Sequence, residues 1–472
     1  MAGDPCLWSA TRQAQAIRDG ELTSSDLLER YLARIERINP DLNAVVTQDV
    51  DGARAAAAEA DAAVGRGDEL GPLHGLPVTI KDALETEGLR STGGATELRD
   101  NVPGRDAPVV AAVKAAGAIV MGKTNLPRWS GDIQSFNEIF GTTVNPWNKD
   151  RVPGGSSGGA AAAVAAGLTS FEIGTDIGGS VRFPSAFNGV FGHKPSFGIV
   201  PSTGYLDHEA GGTTQADVNV VGPITRSAED LDLLLGILLR DESPWSIDLA
   251  PAPEDVTSLR VAAWLDDPFC PVDDEVLAVT RAAAAALEAS GVAVDREARP
   301  DIDPREASDL GMWLVTSATT QSIPIDEDGN LADSGDAGQA ARLAVSHRAW
   351  LDGHMRREAI RAKWAEFFER FDAILLPVCF VPPFAHDHEG DFTSRTLLCN
   401  GESRAYNDVV DWTILTGMAY LPSTVPPIGL GSSGLPIGIQ VVGPYGSDRR
   451  TIALAAHLAE QCGGYQVPPI AR

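Results

Sequence analysis

The chain has 472 residues, with 65 acidic against 37 basic side chains and a formal net charge of −28. That excess argues against nucleic acid and anionic membrane surfaces as partners. With 43% hydrophobic and 22% charged residues, the composition is that of a globular chain with a large core, which excludes disordered and collagen-like classes.

In chain order, Thr23 and Asp26 form a capping pattern, after which Leu27, Leu28, Tyr31, Leu32, Ile35 and Ile38 recur on one helical face until Asn39-Pro40 is expected to stop the helix. Ala53 to Val64 reads as a second helix. Leu76 to Ile80 is a β-branched run, a strand leading straight into Lys81-Asp82. Alternation follows: helix Pro108 to Ala116, strand Ala118 to Met121, helix Ala160 to Ala166, strand Phe171 to Gly174. Beyond Pro223 come helix Ala228 to Leu239, strand Arg260 to Trp264, helix Asp274 to Ala289 and a helix-rich stretch from Pro304 to Phe371. Strands Ala373 to Leu376 and Ile437 to Val442 and a helix from Arg449 to Glu460 close the chain. Helices alternating with short buried strands predict a layered α/β fold.

Five cysteines (Cys6, Cys270, Cys379, Cys399, Cys462) are an odd number at wide spacing without CxxC. Neither a disulfide framework nor a thiolate metal site is indicated, and the expected compartment is reducing. Met1 to Leu22 has no basic n-region or apolar h-region, and no run approaches the roughly 18 apolar residues of a membrane span. A soluble, cytoplasmic protein is expected.

Several motifs match a pattern without its context. Gly117 to Thr124 fits GxxxxGK[ST], but its middle residues Ala-Ile-Val-Met form a strand, where a phosphate-binding loop needs a turn. Gly429 to Gly434 fits GxGxxG but leads into a strand and not a helix. His386-Asp387-His388-Glu389 cannot easily converge on one metal from an extended loop. His193, alone between Gly192 and Lys194, reads as a packing or hydrogen-bonding residue, and no Ser-His-Asp arrangement stands out.

Two glycine-serine segments remain, Gly154-Gly155-Ser156-Ser157-Gly158-Gly159 and Gly174-Thr175-Asp176-Ile177-Gly178-Gly179-Ser180-Val181-Arg182. Each ends a loop and begins a helix, where unpaired backbone N–H groups can stabilise a developing oxyanion. Taken singly, each is equally a turn with an N-capping serine. The lysine changes the balance. The chain has six lysines against 31 arginines, yet Lys81 directly follows an apolar strand. Burial there lowers a lysine pKa from roughly 10.4 toward neutrality and makes it a usable base, so Lys81, Ser156 and Ser180 can form a proton relay.

These residues resemble the amidase signature hydrolases, which share GGSSGG, a distal GTDxGGS and an upstream lysine in GxPxxxKD. The motifs stand here at Gly154 to Gly159, Gly174 to Ser180, and Gly75-Leu-Pro77 to Lys81-Asp82, in the family's order and interval. Lys123-Thr124-Asn125, Asn145-Pro146-Trp147 and Lys194-Pro195 also fit, and the match resumes at Leu435 to Gly443. The resemblance implies one large α/β/α sandwich with a central mixed, twisted sheet, in which 1–70 pack as an N-terminal helical segment, 71–240 hold the catalytic core and 241–472 complete the same domain. It implies a nucleophilic Ser180, a bridging Ser156 preceded by a cis peptide bond, and a neutral Lys81 as ultimate base. The N–H groups of Ile177, Gly178, Gly179 and Ser180 are the expected oxyanion hole. Ser157 and Asp176 are expected to hold the loops, Arg182 to do the same or orient the substrate. No metal or organic cofactor is implied.

Within the family, the glutaminase component of the glutamine-dependent tRNA amidotransferase is the alternative. Its serine-rich SLDQxGP segment is replaced here by Thr213-Thr-Gln-Ala-Asp-Val-Asn-Val-Val-Gly222-Pro223, which favours a hydrolase of small molecules. Trp129 followed by Ser130 and Gly131, where relatives place bulk, predicts a wide pocket for a neutral, bulky or aromatic amide, with anilides, carbamates (urethanes) and esters in the same chemical class. The expected partner is that substrate alone. The oligomeric state is left open, a homodimer being one option, as is the use of 304–371 as lid or interface.

Overall fold

The computed structural model describes residues 3–206, 210–242, 245–318, 345–390 and 392–472. Helix Ser24–Leu42 begins as the capping pattern requires, Thr23 Oγ1 accepting from the Asp26 N–H at 3.0 Å. It runs past Pro40 and ends where Asn43 turns left-handed (φ 54°). The Asn39 carboxamide oxygen accepts from the N–H groups of Ala44 and Val45, so the chain turns off the helix one residue beyond Leu42.

The strands that carry the fold are β1 (Val45–Gln48), β2 (Pro77–Lys81), β3 (Ile119–Thr124), β4 (Glu172–Asp176), β5 (Phe191–Lys194), β6 (Val220–Thr225), β7 (Arg260–Ala263), β8 (Ala293–Asp295), β9 (Ala373–Pro377), β10 (Ser423–Val425), β11 (Pro427–Leu430) and β12 (Pro436–Val442). Nine form a mixed sheet in the order β8-β7-β9-β12-β10-β5-β6-β4, with β11 also on β12. Its β8-β7-β9 end is parallel and the remainder antiparallel. A separate three-stranded sheet, β1-β3-β2, abuts the β4 edge, the Ser170 N–H donating to the Pro77 carbonyl and the Thr79 N–H to Thr169 Oγ1. The α/β class and the mixed sheet are as expected from the sequence, but Lys81 sits on this second, small sheet.

Strands β5, β6 and β10 were not legible from the sequence. Each is short, interrupted by glycine or proline or only three residues long, and buried on both faces, so none alternates apolar with polar residues. Two large apolar cores form, and helix Gly158–Ala165, buried along its whole length, gives Ala162 and Ala163 to one of them. One core gathers Trp264, Trp364 and Trp412 around β7, β9 and β12; the other gathers Leu28, Tyr31 and Ile35 around the small sheet. Of the predicted helix-rich stretch, Pro304–Ala318 and His347–Phe368 are helices, while 319–344 lie outside the described residues.

Candidate active site

Every residue of β2 is buried, so its last side chain, Lys81, enters the interior away from the bulk solvent that would stabilise an ammonium. Its Nζ lies 2.6 Å from Ser156 Oγ and 2.7 Å from Thr175 Oγ1. Burial drives the Lys81 pKa down from 10.5 to about 7, against the upward pull of Asp176 and Glu172. A lysine neutral near pH 7 is a proton acceptor. Thr175 was not singled out from the sequence. The available signal was a polar residue inside a strand with no exposed face.

The loop bearing Ser156 has a cis peptide bond between Gly155 and Ser156, as the resemblance implied. A Cβ on Gly155 would fall 2.5 Å from the Asp132 carbonyl oxygen, so only glycine allows the loop this close to the 132–134 segment. The Ser157 N–H donates to the Ser180 carbonyl at 3.1 Å, and Ser157 Oγ exchanges hydrogen bonds with the Thr175 backbone at 3.3 Å. Ser157 thus ties the two glycine-serine segments together.

Ser180 follows β4 in a turn organised by the Asp176 carboxylate, which accepts from the N–H groups of Gly179 (2.8 Å), Val181 (3.1 Å) and Arg182 (3.3 Å). Of the four N–H groups expected to form an oxyanion hole, that of Gly179 is therefore directed at Asp176. Those of Ile177, Gly178 and Ser180 have no protein acceptor among the described residues. Gly179 has φ 125°, and a Cβ there would lie 2.2 Å from the Phe183 ring. Tight packing on one side leaves the other side of the turn open.

That open side faces a cavity of about 410 Å³ lined by Ser180, Ile177 and Gly178. Trp129, Ser130 and Gly131 line it too, with Trp129 and Ser130 both left-handed (φ 52° and 55°). Arg182 does not. It is fully buried and all three guanidinium nitrogens donate within the protein, to Asp176, the Thr413 carbonyl, Thr416 and Gln440. The substrate-facing option for Arg182 is thereby replaced by loop support, while the Arg182 guanidinium, working against burial, keeps Asp176 below the usual carboxylate range.

The far wall was invisible to sequence reasoning because it comes from remote segments: Met312 and Val315, Phe392, Val410 and Ile414. Asp132 is the one charged residue among the described residues lining the cavity. Its carboxylate accepts from Arg395 at 2.7 Å and from the Tyr406 hydroxyl at 2.8 Å.

The misleading motifs resolve structurally. Lys123, inside strand β3, donates to the Leu84 carbonyl and to Thr86 and faces no open loop. Gly429 and Leu430 end β11, and Gly431 to Gly434 turn the chain into β12. His193 is buried between Thr424 and Asp448. No metal-binding cluster occurs among the described residues, and no helix among them is long and apolar enough to cross a membrane.

Comparison with known proteins is consistent with this geometry. The model of the Amidase family matches residues 26–452. An indoleacetamide hydrolase from Bradyrhizobium diazoefficiens is 33% identical, the match covering 95% of this chain and 86% of that protein. The A component of a glutamyl-tRNA(Gln) amidotransferase from Geobacillus kaustophilus is 32% identical over 95% of this chain and 96% of its own. Among solved structures, a bacterial aryl acylamidase of the amidase signature family superposes with a TM-score of 0.83 at 26% identity, covering 96% of both chains.

Proposed function

We propose that this chain, which belongs to the amidase family, is a stand-alone hydrolase of neutral amides with a bulky or aromatic group. The family membership makes it a hydrolase of amide C–N bonds; the substrate class and the residue roles are our reading. The observation that carries it is Ser180 at the wall of an apolar cavity, beside a loop whose Ser156 hydroxyl lies 2.6 Å from a buried, neutral-leaning Lys81.

In this reading, Lys81 accepts the Ser156 proton as Ser156 takes that of Ser180, and Ser180 Oγ bonds to the substrate carbonyl carbon. The N–H groups of Ile177, Gly178 and Ser180 receive the developing oxyanion. An oxyanion donor contributes roughly 2.7–4 kcal/mol to such a transition state. The relay then returns a proton to the nitrogen as the C–N bond breaks, so the amine leaves neutral. Water, deprotonated through the same relay, hydrolyses the acyl-enzyme. Asp176, Ser157 and Arg182 hold the turn, and Trp129, Ser130 and Gly131 contact the substrate.

The lining of the cavity supports a neutral substrate. Glutamine brings an α-carboxylate, and a buried charge without a partner is costly. Among the described lining residues none is cationic, and Asp132 is already neutralised by Arg395. An aromatic group instead meets Trp129, Phe392 and Met312. The likeness to indoleacetamide hydrolase and aryl acylamidase points the same way. Carbamates, anilides and esters add a nucleophile at the same carbonyl and belong to the proposed range. The likeness to the tRNA amidotransferase component keeps a second reading, ammonia release from glutamine for a partner.

The test is release of p-nitroaniline or p-nitrophenol from a panel of anilides, carbamates and esters by the chain alone, with Ser180→Ala as control. Turnover lost in the variant supports the stand-alone hydrolase. Inactivity on the panel, with glutamine hydrolysis appearing on addition of cell extract, supports the amidotransferase reading.

A further inference from the structure

Arg357 is a fully buried arginine far in sequence from every motif of the site. It lies on helix His347–Phe368 and its Nη1 donates to Asp217 Oδ2 at 2.6 Å. The other carboxylate oxygen of Asp217 accepts from the Tyr420 hydroxyl at 2.6 Å and from its neighbour Val218 N–H at 2.9 Å. The Arg357 guanidinium also lies 4.5 Å from the Tyr420 ring centroid, and that ring is itself stacked on Phe197 at 4.4 Å. Asp217 belongs to the turn Ala216–Asn219, closed by Asn219 N–H donating to the Ala216 carbonyl at 3.3 Å. Val218 within it has φ 59°, a conformation costly for a β-branched residue and held only where surroundings enforce it.

Ala216 and Asn219, the two ends of this turn, line the substrate cavity. Met312 and Val315, which line the same cavity, belong to helix Pro304–Ala318. That helix meets the same helix His347–Phe368: a Cβ on Gly353 would fall 2.3 Å from the Trp313 ring. Helix His347–Phe368 therefore holds two segments of the lining, one through the Gly353–Trp313 contact and the other through the Arg357–Asp217 pair.

We propose that Arg357 is a positioning residue for substrate selection: by clamping Asp217 it holds the strained 216–219 turn in the conformation that sets the width of the cavity. Arg357 is fully buried and Asp217 half-buried, with side-chain exposures of 1% and 16%, so removing one partner leaves the other largely desolvated charge unmatched and frees the turn from the helix. This inference rests on the amide-hydrolase reading, with the cavity as its substrate pocket.

The experiment compares the parent chain with Arg357→Met, Asp217→Asn and the double variant. One readout is the ratio of kcat/KM for a bulky anilide to kcat/KM for a small acetate ester. The other is amide hydrogen exchange in a peptide covering 213–219, against β4 as internal reference. The expected result is a ratio at least tenfold lower in either single variant, carried by KM of the anilide. No further fall is expected in the double variant, and exchange should be at least tenfold faster in 213–219 with β4 unchanged. Should Arg357→Met fail to fold, Asp217→Asn, at the less buried end of the pair, carries the same readouts. An unchanged ratio overturns the proposal even if exchange accelerates, and so does an equal loss on both substrates, which marks a merely structural role. If the parent turns over nothing on the panel, the hydrolase reading fails and the exchange result alone decides whether Arg357 holds the turn.

Discussion

Lys81 Nζ and Ser156 Oγ lie 2.6 Å apart with both side chains fully buried, one at the end of a strand in a small sheet and the other on a cis peptide loop leading into a buried helix. The second partner of the amine is the Thr175 hydroxyl, so both of its hydrogen bonds run to neutral oxygens. Burial, not the pairing, brings the Lys81 pKa down to about 7, so that a side chain otherwise protonated at neutral pH is partly a free amine there.

A pH dependence follows from this pair. With the Lys81 pKa lowered to about 7, the neutral amine predominates above that pH and the ammonium below it. The ammonium cannot accept the Ser156 proton, so kcat/KM for an amide is expected to level off above about pH 7 and to fall tenfold per unit below it. Lys81→Ala should flatten the profile and lower its plateau by about 10²–10⁴-fold, the usual span for a general base. A parent profile with no break between about pH 6 and 8 would argue against Lys81 as the base.

The Asp176–Arg182 pair yields a stability prediction. Both side chains are at zero exposure, 2.8 Å apart, and Arg182 reaches three further acceptors. Asp176→Ala leaves a buried guanidinium without its counter-charge, at a cost of about 3–5 kcal/mol. Urea unfolding should show that loss, together with loss of activity because three N–H groups of the Ser180 turn lose their acceptor. A change below about 1 kcal/mol would place the guanidinium in contact with solvent after all.

Pocket width is testable at Ser130 and Gly131, which line the cavity beside Ser180. Gly131 has φ −88°, which any residue adopts, and a Cβ there meets only the Arg128 carbonyl oxygen, at a tight 3.3 Å. The Ser130→Met, Gly131→Phe double variant should lose the preference for bulky over small amides by at least roughly 10–200-fold, the range that one methylene commands in a pocket. Steady-state kinetics on a bulky anilide and acetamide measures this directly, and an unchanged preference would remove these two residues from substrate selection.

How much of this was legible in the sequence depended on distance along the chain. Lys81, Ser156 and Ser180 were readable because glycine spacing and a cation after an apolar strand are local signals. The helix and strand order was readable wherever periodicity was clean, as in Ser24–Leu42 and Asp274–Ala289. Three features were not. Strands β5 and β6 are buried on both faces, which erases the alternation that identifies a strand. The far wall of the cavity is assembled from Met312, Phe392 and Ile414, each unremarkable in its own segment. Asp176 takes the Gly179 N–H, a hydrogen bond set by the turn's geometry that no motif encodes.

The central claim is that Ser180 carries the acyl group. The measurement that tests it most directly is mass spectrometry of the protein quenched during turnover of a p-nitrophenyl ester, followed by peptide mapping. A single acyl adduct is expected on the peptide containing Ser180, absent from Ser180→Ala. An adduct on another residue, or undiminished turnover in Ser180→Ala, would contradict it.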